Sequence, residues 1–101
     1  TENMGIYMYE EWFEKLAKKL EIENSKQTKT FIELELSENI SKKIDGEKLF
    51  FMAYNITKMF RFSFKNNKIH IILDTVKLDK HFLIYLIQLL EKINTELIIK
   101  D

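Results

Sequence analysis

Along residues 69–100 the spacing of apolar residues changes period twice. Ile69, Ile71 and Leu73 alternate with Lys68, His70 and Ile72, the period of a strand. Ile72 gives the second face an apolar member, as in an interior strand. Beyond a short loop, Phe82, Leu86, Leu89, Leu90 and Ile93 recur at helical spacing, and Leu83 and Ile87 widen the stripe. Asp79 has the carboxylate to cap the start of this helix, and Asn94 and Thr95 end it. Leu97, Ile98 and Ile99 predict a last short strand. Gln88 interrupts the apolar run, which is far shorter than the roughly 20 residues of a membrane span.

Earlier in the chain, residues 9–22 form an amphipathic pattern. Tyr9, Trp12, Phe13, Leu16, Ala17 and Leu20 share a face; Glu11–Lys15 and Glu14–Lys18 are favourable pairs one turn apart on the other. Residues 24–29 are polar and read as a loop. From Thr30 to Ser37, Ile32, Leu34 and Leu36 alternate with Glu33 and Glu35, giving a strand with one wet face. Residues 38–46 fit either a helical turn closed by Gly46 or a strand turning at Asp45-Gly46. In residues 47–59, Leu49, Met52, Ala53, Ile56 and Met59 fit one helical face, with Phe50, Phe51 and Tyr54 as a second apolar group beside it. A strand here would bury Asn55, and the helix is the reading we adopt. Phe60, Phe62 and Phe64 alternate with Arg61, Ser63 and Lys65; Asn66-Asn67 tolerates the positive φ of a two-residue turn, so 60–65 and 68–74 are expected to pair as an antiparallel hairpin.

The order after the first helix is then β-α-β-β-α-β, the split pattern of a ferredoxin-like sandwich: an α+β fold with helices on one face of a small antiparallel sheet. The N-terminal helix is an addition that could cover Phe50, Phe51 and Tyr54. The alternative order is helix, strand, meander, helix, strand. Either way 101 residues make one domain, long enough to bury a core unaided.

The chain has no cysteine, which excludes disulfides and thiolate metal sites and agrees with a reducing, cytoplasmic setting. Residues 1–8 lack the basic start and apolar run of a signal peptide. Net charge is zero, so no overall field draws in nucleic acid or an anionic membrane, and no membrane partner is expected. Residues 1–50 hold 11 acids against 8 lysines, and residues 51–101 hold 5 acids against 8 bases, a modest dipole.

Candidate chemistry is sparse. His70 and His81, with Asp74 or Asp79, are the only conceivable metal set, and their spacing matches no ligand motif. Glu33 and Glu35 project from one strand face as a carboxylate pair would, or simply as a solvated face. Gly5 and Gly46 are the only glycines, so no phosphate loop exists. Catalytic, cofactor and metal sites are therefore expected to be none. Arg61, Lys65 and Lys68 beside three phenylalanines suggest a single-strand nucleic-acid surface, but the alternation sends the rings and the cations to opposite faces. The segment IHIILDT, the following loop, the helix from Asp79 and ELIIK faintly resemble the strand–loop–helix–strand of STAS-type anti-sigma antagonists over residues 69–100. That family usually carries a serine or threonine just before the helix; here Thr75 lies too early, so no functional residue carries over.

These patterns favour a small regulatory protein without catalytic activity, acting by protein–protein binding. Phe50, Phe51 and Tyr54 form one candidate interface patch and Ile84 and Tyr85 another. The first helix can cover only one of them, so the other should meet a protein partner or a second copy in a homodimer. A nucleic-acid module using Arg61, Lys65 and Lys68 is the alternative.

Overall fold

The structure is a computed structural model that describes residues 2–76 and 82–96, with side chains from Glu10 onward. Its elements are α1 (Glu2–Lys19), β1 (Ile22–Gln27), β2 (Phe31–Leu36), α2 (Glu38–Lys43), α3 (Gly46–Ile56), β3 (Phe60–Lys65), β4 (Lys68–Asp74) and α4 (Phe82–Thr95). The strands form one antiparallel sheet in the order β1-β2-β4-β3. The fold is α+β, as the patterning predicts.

In that sheet β2, β4 and β3 stand where the first, third and second strands of a ferredoxin-like sandwich stand, with α2–α3 and α4 as the crossovers. The place beside β2 is taken by β1. The expected loop at 24–29 is thus an edge strand, a correction to the sequence reading. IENSKQ is exposed from Glu23 onward and has no apolar alternation to announce a strand. What holds it is the ladder to β2 and a tight return at Thr28, whose backbone amide donates to the Phe31 carbonyl (2.9 Å) and whose hydroxyl accepts from the Thr30 and Phe31 amides. The expected strand at Leu97–Ile99 and the cap at Asp79 lie outside the described residues.

Local chemistry sets the other boundaries. Two residues beyond α1, Glu21 adopts a left-handed conformation (φ 52°) and accepts the Ser37 amide on its carbonyl at 2.9 Å, joining the start of β1 to the end of β2. Ser37 caps α2 by accepting from the Ile40 amide at 3.1 Å. Asp45 caps α3 by accepting from the Glu47 and Lys48 amides. Gly46 therefore opens α3 rather than closing α2, whose C-cap is Ile44 in extended conformation. Residues 38–56 are two short helices, which settles the helix-or-strand choice for the helix.

Ile32, Leu34, Leu36, Ile69, Ile71 and Leu73 fill the helix-side face of the sheet, and Leu86, Ile87, Leu89, Leu90 and Ile93 of α4 pack over them. α4 is the central helix: α1 lies along it on one side and α3 touches it on another. Leu16 of α1 and Leu20 just after it join the core, while Trp12, placed on the same face by its spacing, remains 43% exposed. The expectation that α1 could cover the α3 aromatics is not met; it covers α4.

Candidate interaction surface

α3 is built to bury one stripe only. Leu49 and Ala53 are buried and Met52 and Ile56 pack beside them. At helical spacing, Phe50, Phe51 and Tyr54 then face away, and they are 55%, 60% and 51% exposed. Phe50 links the group, with its ring 6.0 Å from that of Phe51 and 6.3 Å, nearly parallel, from that of Tyr54. The Lys58 ammonium lies 5.9 Å from the centre of the Tyr54 ring.

The patch continues onto the sheet. The three phenylalanines of β3 share a face, as the alternation requires, but they differ in depth. Phe60 is buried, Phe62 is half-buried and Phe64 is 65% exposed. Phe62 and Phe64 line one side of an open groove of about 460 Å³, and Ile44, Leu49 and Phe50 line the other. The sequence reading missed Phe64 as a surface residue. Its signal was position: it is the last inward residue before the turn, on the strand that ends the sheet.

Ile84 and Tyr85 behave differently. Both are half-buried and Tyr85 packs against the core, on the helix that α1 covers. The structure does not join them to Phe50, Phe51 and Tyr54 in a single surface.

The opposite face of the sheet carries the polar candidates. Glu33, Glu35 and His70 converge there, because β2 and β4 pair Glu35 with His70 and Glu33 with Ile72. His70 is 9% exposed; its Nδ1 lies 2.8 Å from Glu33 Oε2 and its Nε2 3.3 Å from Glu35 Oε2. Each ring nitrogen meets a carboxylate, which can only accept a hydrogen bond when ionised. The histidine is thus tied on both sides, and the glutamates the sequence left as a solvated face are its anchors. His81 lies outside the described residues, so the proposed histidine pair does not arise among the described ones. Asn24 Nδ2 also donates to Glu35, at 2.9 Å.

Lys68 reaches over the end of β2 to Glu23 Oε2 at 2.7 Å, with Glu35 Oε1 at 3.8 Å. Its hydrogen bond to Glu23 raises its pKa above the ordinary 10.5, desolvation opposes the rise, and the charges of Glu23, Glu35 and Glu38 add to it. Of the three cations picked from the sequence for nucleic acid, Lys68 is thus engaged, and Arg61 and Lys65 stand exposed on this face, away from the aromatic rings. Ser63, between them, has a buried hydroxyl with no hydrogen-bond partner. Among the described residues no helix is long and apolar enough to cross a membrane. Comparison with family models, with characterised proteins and with solved structures found no match, so neither the STAS-like segment nor any other resemblance assigns a family.

Proposed function

We propose that this chain is an interaction or regulatory protein that acts by binding another protein, or a second copy of itself, through the aromatic surface of α3 and the end of β3. The observation that carries the reading is the group of large rings left in water: Phe50, Phe51, Tyr54 and Phe64 are each more than half exposed, and Phe50 touches or shares a groove with the other three. Scattered apolar residues are ordinary on a protein surface, whereas adjoining large ones mark a binding site. Phenylalanine and tyrosine are also the types enriched at interface centres. The lack of cysteine suits the cytoplasm.

Light scattering across a concentration series tests the homodimer form of this reading. The native chain should show mass rising toward two copies, and Phe51→Glu should hold it at one. Should the native chain stay monomeric, the homodimer form fails and only binding to a different protein is left of this reading. Binding of an oligonucleotide that weakens steeply with salt would favour the Arg61, Lys65 and Lys68 face instead.

A further inference from the structure

The sheet has an open edge beside the aromatic groove. β3 ends the strand order, and among the described residues nothing pairs with its outer side. The direction of its backbone groups follows from the turn. Asn66 and Asn67 both have positive φ, 53° and 64°, the signature of the two-residue turn that closes on a hydrogen-bonded pair. That pair is Lys65 and Lys68, and hydrogen-bonded pairs recur at every second residue, at Ser63–His70 and Arg61–Ile72. Bonds beyond the ladder agree. The Asp74 amide donates toward β3, to Met59, whereas the Ile69 and Thr75 amides donate toward the β2 side, to Ser41 Oγ and the Thr30 carbonyl. The amides and carbonyls of Phe60, Phe62 and Phe64 therefore face outward along the edge.

Sheet edges are ordinarily guarded by a bulge, by charged side chains, lysine above all, or by a proline. β1 has a bulge, its register shifting between Ile22 and Asn24, and it is polar on both faces. β3 has an unbroken register, no proline and a phenylalanine at every inward position. Its charges, Arg61 and Lys65, lie on the outer face, and neither pairs with a carboxylate among the described residues.

We propose that the edge of β3 receives an extended segment of another protein in which apolar and acidic residues alternate, adding it to the sheet as a further strand. The proposal rests on the protein-binding reading and names the partner's chemistry. The free amides and carbonyls select an extended backbone. Alternate residues of an added strand then fall on the two faces. One set enters the groove of Ile44, Leu49, Phe50, Phe62 and Phe64; the other lies beside Arg61 and Lys65, where carboxylates complete the charge. The same charges discriminate against a second copy at this edge. Two β3 strands paired with their aromatic faces together collect four cations on one face, and centring the pair on Ser63 sets Arg61 opposite Lys65 twice. The β1 edge of a second copy would offer Ser25 and Gln27 to the aromatic groove.

The chain contains a suitable probe in the β2 sequence, residues 30–37, where Ile32, Leu34 and Leu36 alternate with Glu33 and Glu35. A synthetic peptide of that sequence, and its counterpart with lysine at both glutamate positions, would be titrated into the full chain and followed by amide exchange and fluorescence anisotropy. Without peptide, the Phe62 and Phe64 amides should exchange quickly and the Arg61, Ser63 and Lys65 amides slowly. The glutamate peptide should slow the first two and bind about tenfold more tightly than the lysine peptide. Arg61→Glu with Lys65→Glu should reverse that order. Phe64→Pro, which deletes an edge amide that bonds nothing within the sheet, should weaken binding about tenfold or more; if it unfolds the hairpin, the charge-reversed variant decides alone. Protection of Phe62 and Phe64 in the free monomer overturns the proposal, as does failure of the glutamate peptide to slow them, or equal binding of the two peptides. If the edge stays inert while Phe51→Glu still abolishes an association of the native chain, this inference fails and the broader reading stands. If the peptide binds as described and α3 variants change nothing, the α3 part of that reading fails instead.

Discussion

α4 and α3 are both richer in apolar side chains than a single stripe requires, and the molecule treats the surplus in opposite ways. On α4, Leu86, Ile87, Leu89, Leu90 and Ile93 are buried, and Leu83 and Tyr85 pack at the margin of the core. The helix lies between the sheet and α1 and also touches α3, so most of its apolar side chains have a neighbour. On α3 only Leu49 and Ala53 are buried, and three rings on the far side are each more than half exposed. The single amphipathic stripe of α1 can satisfy one helix, and it is spent on α4. Apolar surplus with a neighbour is stability; apolar surplus without one is available for binding.

The sharpest way to break that contrast is to cut a side chain from each helix. Leu90 is fully buried, so Leu90→Ala should cost about 2–5 kcal/mol in denaturant unfolding. A loss below about half a kcal/mol would show that this face of α4 is not core. Leu16, on the α1 side of the core, is 5% exposed, and Leu16→Ala should cost about 2 kcal/mol, at the low end because an outer helix can settle into the gap. Were it neutral, α1 would not be the cover of α4. Phe51→Glu should change stability by less than about 0.5 kcal/mol, since the ring has little to lose on folding, while abolishing association.

Much of the scaffold was legible before the structure. Strict alternation in residues 30–37, the Asn66-Asn67 turn and the helical stripe ending at Ile93 each express a backbone period directly. β1 was not legible, because its strand state comes from its partner's hydrogen bonds and not from its own side chains. Gly46 fits the end of a helical turn or, with Asp45, a hairpin turn; the Asp45 cap makes it the start of a helix instead. The surplus on α3 was visible as Phe50, Phe51 and Tyr54, but which helix α1 would cover depends on the packing of three helices at once. His70 with Glu33 and Glu35 needed the cross-strand register, which a single chain reading does not supply.

The smallest expected effect concerns the polar face. Lys68 has a raised pKa in the folded state, so the stability it adds is fully present below its ordinary 10.5 and is lost as pH rises through the folded value. On alkaline titration above that point the native chain should lose stability more steeply than Glu23→Gln, by a margin that shrinks with added salt. Parallel curves would show that the Glu23 contact contributes nothing.

The claim that the α3 rings form a protein-binding surface is tested most directly by placing a photoreactive benzophenone side chain at position 51 and, as a control, at the exposed polar position 26 of β1, on the far edge of the sheet. Illumination would be carried out with the purified chain and in the cells that make it. Position 51 should give one discrete adduct, with the mass of two chains or of this chain and one other protein, and Phe50→Glu should remove it. Position 26 should give none. Equal, diffuse labelling from both positions, unchanged by Phe50→Glu, would contradict the account.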